Sequence, residues 1–419
     1  MQYIRKNGMI DIDDAIERGI ILPNEPELHG ARKNKFWFND YEWMYKEVDN
    51  DYSTYEEYAE LICYEIAKLL QINNAEYDLA TYQGKKGVIT RSVVNKNEKI
   101  VSGTELLTQV YENYFVPKMH LYEKFIELSS SFQLDTIEDY EKLSDNKKEE
   151  FNKQMITLYN QSYFSIEDLI KYDEKKDIGF LYEYCMNLQN IYTPDFKEMK
   201  NGILISNNLY DIWSTVEIYC KISGYQINTK DFMSDLINMF IFDIITSQGD
   251  RHADNWSIII NKEDNTMKLA GLYDNSGAFT LNRKKAIMNI NDFSNRLKTE
   301  TRPGKRQGIY RQLSETIEHS FSGIKISDDD VRIRKKNAQL MNSFIAQSSD
   351  DFIERLKKFT GLLTPENIEI IFDNIEKKTK TKMPEIVKNV TREVLNHNLE
   401  MIKGKLKTEK GEQHANRKI

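Results

Sequence analysis

Cysteine and histidine are scarce in this chain, with three and six copies in 419 residues. Cys63, Cys185 and Cys220 lie far apart with neither metal nor disulfide spacing. That excludes a disulfide-stapled scaffold and suits a reducing cytoplasm. No second histidine lies near His252, which counts against a hydrolase that uses His252 as a metal ligand. The first residues hold no apolar signal core and no run is long enough to span a membrane, so a soluble cytoplasmic protein without membrane contact is expected. Neither sign of charge dominates. With 58 basic and 66 acidic residues the net charge is −8, so the chain as a whole is not built as a polyanion binder, and it carries no DNA-binding motif. The Walker pattern G-x-x-x-x-G-K-[ST] is also absent.

What is present is concentrated in two short stretches. Residues 249–256 read Gly-Asp-Arg-His-Ala-Asp-Asn-Trp, and Leu272-Tyr273-Asp274-Asn275-Ser276-Gly277 follows. Between them, Ser257–Ile260 and Met267–Ala270 flank a polar Asn-Lys-Glu-Asp-Asn turn, which predicts a β-hairpin. Arms of equal length return the chain to its start, so Asn255 and Asp274 should end side by side with Asp250 close by. Such a group of oxygens suits phosphoryl transfer, where the protein positions the reactants and neutralises charge. Asn255 and Asp274 fit Mg²⁺, which takes oxygen ligands and few protein side chains. Asp250 fits the acceptor of a hydroxyl proton, and Arg251 and His252 would fix the loop or meet phosphate charge. The alternative is an Asx-rich turn in which Asp250, Asp254 and Asn255 cap their own backbone. Upstream, the apolar spacing of Phe232, Leu236, Met239, Phe240 and Ile244 predicts a buried helix capped by Thr229, delivering the chain to this loop.

A phosphoryl-transfer site of this kind needs a lysine on an upstream strand and an acid on the following helix. Residues 35–38 and 42–46 read as two strands, with Lys46 at the end of the second. Tyr55–Leu70 reads as an amphipathic helix with Glu60 as the partner of Lys46 and Glu65 as the alternative. In the opposing reading both glutamates are solvated and Lys46 is an edge-strand lysine that discourages aggregation. The basic stretch from Gly30 to Lys35, including Lys33, could cradle phosphates through backbone N–H groups and charge, or be an ordinary basic loop. Residues 77–82 and 87–94 give a further strand pair. The expected fold class is α+β and bilobal: a small antiparallel-sheet lobe with one main helix over 1–95, and a large, mostly helical lobe over 96–405 carrying the loop and hairpin at 249–277.

The combination of the Gly30 loop, the Lys46 strand, the Glu60 helix, the strand through Ile89-Thr90-Arg91, and G-D-R-H-A-D-N followed by L-Y-D resembles the HipA-like kinases, relatives of the phosphatidylinositol 3-/4-kinase-like branch of the protein-kinase superfamily. The resemblance covers roughly residues 29–95 and 230–280. It implies an ATP- and Mg²⁺-dependent Ser/Thr protein kinase with Asp250 as base, Asn255 and Asp274 on the metal, Lys46 on the ATP phosphates, and backbone groups from Thr90 to Ser92 at the adenine. HipA-type toxins carry an N-terminal subdomain before the glycine loop, where here about 28 residues precede it, and a long, mostly helical segment over about 100–228 separates the lobes, so toxin activity is not carried over and an antitoxin stands only as a possible partner. G-D-R-H, closer to the lipid-kinase wording, keeps a lipid or small-molecule acceptor open. A catalytically silent ATP-binding module is the third reading.

Residues 134–155 read as a solvated charged helix or helical hairpin. From Arg283 to Arg311 nine basic residues face two acids, Asp292 and Glu300, a local charge of 9 − 2 = +7. Three readings are open for this stretch: the seat of an acidic or RNA-bound protein substrate, a phosphate-binding patch awaiting autophosphorylation at Ser294, Thr299 or Thr301, or a solvated loop around Arg302-Pro303-Gly304-Lys305. From 327 to 405 the chain reads as helical, with starts at Thr364-Pro365-Glu366 and Met383-Pro384-Glu385, and residues 406–419 read as a disordered tail.

Overall fold

Short runs rich in aromatic and β-branched residues within the first ninety positions build one mixed sheet rather than isolated hairpins. The computed structural model describes residues 5–24, 35–48, 54–95, 97–161, 209–318 and 350–416. Gly30 and Lys33 lie outside the described residues. Strands β1 (Arg5–Lys6), β2 (Met9–Asp11), β3 (Lys35–Phe38), β4 (Trp43–Glu47), β5 (Tyr77–Tyr82) and β6 (Lys85–Arg91) form a six-stranded sheet in the order β1-β2-β5-β6-β4-β3. All pairings are antiparallel except β2 with β5. Four of these strands were expected. The β1–β2 pair and the short helix α1 (Ile12–Glu17) were not, because two- and three-residue strands carry too little periodicity to be seen.

Successive strand residues face opposite sides, and the sheet uses both. Phe38, Tyr45, Ala80 and Ile89 close one face with Ile10, Ile12 and Ala15 from β2 and α1. Tyr77, Leu79 and Val88 close the other against helix α2 (Glu56–Leu70). Lys46, paired in register with Lys35 and Val88, shares that second face.

Strand β7 (Glu98–Ser102) leads into α3 (Gly103–Val110), a single π-turn at Tyr111–Phe115, and α4 (Val116–Ser131). Helices α5 (Ile137–Glu141) and α6 (Asp145–Gln161) are the expected charged hairpin, followed by α7 (Leu209–Ser223), strand β8 (Gln226–Ile227) and α8 (Thr229–Thr246). The cap of α8 is Asn228 rather than Thr229. Its Oδ1 accepts from Asp231 N–H while its Nδ2 donates to Asp231 Oδ2 at 2.7 Å, a reciprocal cap that places the helix start one residue earlier than the spacing predicts.

The expected hairpin is present as β9 (Ser257–Asn261) and β10 (Thr266–Leu269), in register from Asn261↔Thr266 to Ile258↔Leu269. It is the centre of a four-stranded sheet, β7-β9-β10-β8. Gly103 allows this close seating: a Cβ there would lie 2.4 Å from the Trp256 ring.

The segment 283–311 is not a loop. It forms α9 (Lys284–Thr299) and most of α10 (Pro303–Glu318), with Pro303 starting the second helix where its missing N–H costs nothing. Helices α11 (Asp350–Leu362), α12 (Pro365–Thr379) and α13 (Glu385–Asn416) complete the described chain, and α13 runs on past Lys405. One continuous apolar cluster joins α2 of the first lobe to α8, the hairpin and α11–α13 of the second, so the two lobes share a core. No described helix is long and apolar enough to cross a membrane.

Candidate active site

Helix α8 is buried along its C-terminal half, from Met239 to Thr246, and stops at Ser247 in the left-handed region (φ +52°). From the far end of the chain, Asn398 of α13 donates through Nδ2 to Ile245 O and to Ser247 Oγ, both at 2.9 Å. The polar groups at the end of α8 are thus satisfied, and the chain enters residues 248–256 on a fixed footing.

Arg251 organises that loop. It is fully buried, and its guanidinium pairs with both oxygens of buried Asp243. Nη1 donates to Asn255 O and to Tyr273 O, each at 2.8 Å, and Nη2 donates to Asn275 Oδ1 at 2.7 Å. One cation therefore ties the 250–255 loop to the 273–275 loop, the two segments that the hairpin brings together. The sequence left two roles open for Arg251. Burial decides for fixing the loop, since no phosphate can reach it.

Gln248 makes a second tie, donating to Asp274 O at 3.1 Å and accepting from Asp250 N–H at 3.3 Å. Gly277 makes a third through close approach, since a Cβ there would sit 2.4 Å from Gln248 Oε1 and 3.0 Å from Asp250 Cβ. Asn255 spends its Nδ2 on Asp250 O at 2.6 Å, which leaves its side-chain oxygen for a ligand. His252 caps the short turn Ala253–Asn255 by accepting from Asp254 N–H, and its Nε2 lies 3.3 Å from Asn255 Nδ2. His252 therefore shapes the loop. The Asp250 side chain is half exposed and open to an incoming molecule.

Lys46 closes the site from the other lobe. Its Nζ lies 2.5 Å from Asp274 Oδ1, 3.4 Å from Ser276 Oγ and 3.6 Å from Glu60 Oε1. Glu60 is the acid that meets Lys46, as expected, and not Glu65. The other Glu60 oxygen accepts Asn275 N–H at 2.7 Å, so the helix acid holds both the lysine and the backbone beyond Asp274. Asp274 sits in the left-handed region (φ +51°), where Asp is tolerated, and its N–H donates to Tyr77 Oη. Lys35, one strand over, places its Nζ 3.9 Å from Asp274 Oδ2. The sequence places Lys35 at the join of the basic stretch and the first strand but assigns it no part in the site, because its reach across to Asp274 depends on the β3–β4 register.

Burial alone would raise the Asp274 carboxyl, but Lys46 and then Lys35 hold it well below the usual carboxylate range. Burial also works against a charged Lys46, yet Asp274 and Glu60 keep it protonated. For Glu60 burial wins. Its pKa is raised from 4.5 to about 7, with Lys46 pulling back only in part. A group with a raised folded pKa stabilises fully below its unfolded value, and that contribution is lost as pH rises through the folded value. Glu60 should therefore make the fold lose stability between about pH 4.5 and 7. Urea unfolding across that window should show a flatter profile for Glu60→Gln than for the native chain. Parallel profiles would refute the assignment. Asp274 works with the opposite sign, and its contribution is lost only in strong acid.

Thr90 and Ser92 lie at the end of β6. Thr90 is buried between Met44 and Tyr77 in the sheet, and Ser92 N–H donates to Glu42 O at 2.7 Å. That N–H, expected at an adenine, is committed to the sheet edge. Ser294, read as a modification site, is 2 % exposed and donates to Glu393 Oε1 at 2.6 Å, which shields it, whereas Thr299 and Thr301 are exposed. Gln248, Asn275 and Asn398 were not singled out from the sequence. The first two had a signal, being polar residues within two positions of Asp250 and Asp274. Asn398, about 150 residues downstream, had none.

No protein-family model matches the chain, and no curated protein matches it in sequence. Among solved structures it is similar to a Helicobacter pylori proinflammatory kinase, CtkA, with a TM-score of 0.52 and 16 % identity over 92 % of this chain and 95 % of that one. It is also similar to HipA of Shewanella oneidensis MR-1, solved with HipB and operator DNA, covering 92 % of this chain and 69 % of that one. That second likeness, at a TM-score of 0.36 and 12 % identity, carries no argument. The chain therefore has the α+β fold of the kinase CtkA, in line with the α+β, bilobal kinase-like fold expected from its loop, hairpin and lysine strand.

Proposed function

We propose that this protein is an ATP- and Mg²⁺-dependent Ser/Thr protein kinase of the HipA-like type. The observation that carries the proposal is the position of Lys46, held between Asp274 and Glu60 from opposite lobes, with the Asp274 segment itself tied to the loop of Asp250 and Asn255 through Gln248 and Arg251. In the protein-kinase arrangement a strand lysine and a helix acid must both be in place beside the metal-binding Asp. The donor set fits Mg²⁺: the Asp274 carboxylate and the Asn255 side-chain oxygen are hard ligands, few enough to leave positions for phosphate. When bound, Mg²⁺ would neutralise charge on the phosphates. Lys46 and Lys35, on neighbouring strands, would meet the same phosphates with positive charge. Asp250, open to solvent beside them, would orient a Ser or Thr hydroxyl and accept its proton.

Incubating the purified protein with labelled ATP and Mg²⁺, alongside Asp250→Ala and Asp274→Ala, tests this reading. Transfer by the native chain and its loss in both variants is expected. Transfer that persists in both would refute the site, and absence of ATP binding by the native chain would refute the activity. Label appearing on a lipid or small molecule but on no protein would move the acceptor class.

Lys35 offers a graded test. Its side chain is about two-fifths exposed, so its contribution to phosphate binding should be near 1 kcal/mol. Lys35→Ala should raise KM for ATP by roughly fivefold with kcat little changed. An unchanged KM would exclude Lys35 from the nucleotide site.

A further inference from the structure

Helices α9 and α10 leave the catalytic region as an antiparallel pair, with α9 starting ten residues after Asp274. Within the pair, Arg296, Arg302 and Arg311 are neutralised by Asp292, Glu300 and Glu315. Arg283, Lys284, Lys285, Lys298, Lys305 and Arg306 are all exposed, and among the described residues only Lys305 has an acid acting on it, Glu300. In a chain of net charge −8 this is a local reversal of sign. Where the two helices meet α13 they enclose a groove of about 620 Å³. Leu297, Pro303 and Tyr310 give it apolar walls, Lys298 and Arg306 stand at it as cations, and Glu393 is the only acid among the described residues that line it. Tyr310 remains 54 % exposed, a large aromatic surface left open to water.

We propose that this groove docks an acidic segment of the protein acceptor, with Lys298 and Arg306 meeting its carboxylates and Tyr310 covering an apolar residue between them. The proposal rests on the acceptor being a protein, as argued above. Nucleic acid fits less well: two cations and a carboxylate beside apolar walls do not match a continuous phosphodiester, which needs a run of cations. Distance sets the spacing. Lys298 lies about 20 Å along α9 from its start, which an extended peptide covers in about six residues. The acidic cluster should therefore stand about six residues or more from the phosphorylated hydroxyl.

The test measures anisotropy of a labelled peptide carrying a Glu-Glu-Leu-Glu cluster and a distant serine, with full-length protein and no nucleotide. Binding that weakens with salt is expected, with Lys298→Glu combined with Arg306→Glu costing about tenfold or more in affinity. The same double variant should gain affinity for a Lys-Lys-Leu-Lys peptide, which guards against simple misfolding. Equal binding of acidic and neutral peptides, no change in the double variant, or displacement by single-stranded RNA at lower concentration would overturn the proposal. Because binding is read without ATP, failure of docking and failure of phosphoryl transfer are separate results. If the native chain phosphorylates the peptide, KM for the peptide should rise about tenfold in the double variant while kcat and KM for ATP stay put.

Discussion

Asp274→Asn should reduce phosphoryl transfer by about a thousandfold or more while leaving the fold intact. The size follows from what the carboxylate does. Loss of a metal-holding charge removes several kcal/mol of charge neutralisation at the phosphates, and each 1.36 kcal/mol is about tenfold in rate. The fold should survive because Asn keeps the shape and tolerates the left-handed backbone at this position (φ +51°). Lys46 also keeps Glu60 at 3.6 Å as a carboxyl neighbour. Steady-state transfer with labelled ATP, paired with thermal unfolding, separates the two effects. A variant that transfers phosphate within tenfold of the native chain would remove Asp274 from the metal role. A variant that fails to fold would be replaced by Asp274→Ala and Lys46→Met, which remove the same contact from either side.

Arg251→Met should cost about 4 kcal/mol of stability, the range for stripping one partner from a buried ion pair. Asp243 would be left as an uncompensated buried charge, and Asn255 O, Tyr273 O and Asn275 Oδ1 would each lose a donor. Chemical unfolding of the single variant and of Arg251→Met combined with Asp243→Leu gives the check. The double variant should recover part of the loss, because an apolar pair of similar volume removes the stranded charge. Strict additivity would show that the two side chains do not act as a pair. Residual activity in any folded Arg251 variant should be low, since the same guanidinium holds the Asp250 and Asp274 loops together.

Much of the site was legible because its parts lie close in sequence. Asp250, Asn255 and Asp274 are separated by one hairpin, and a hairpin of equal arms has only one place to return. Lys46 and Glu60 were legible as a strand end and the following helix. Less visible were contacts made across the fold. The β7 and β8 strands flank the hairpin from positions 98–102 and 226–227, and nothing local marks either as its partner. The basic stretch after Asp274 showed its charge in the sequence but not its helical hairpin. Propensity is weak where exposed faces dominate, and only burial of Ile287, Ile290, Ile309 and Leu313 fixes the two helices.

The sequence by itself determined which atoms are available: two carboxylates and an amide around a hairpin, a strand lysine, a helix acid, and a patch of positive charge in an acidic chain. Residue type and short-range periodicity suffice for that. The tertiary structure alone decided how they are used. It buried Arg251 and so made it a tie, not a phosphate ligand; it set Lys35 across from Asp274 through strand register; it put Asn398 under the end of α8; and it raised Glu60 toward neutrality by desolvation. Each depends on which distant surfaces exclude water together, and burial and local dielectric are properties of the packed chain that no stretch of sequence carries alone.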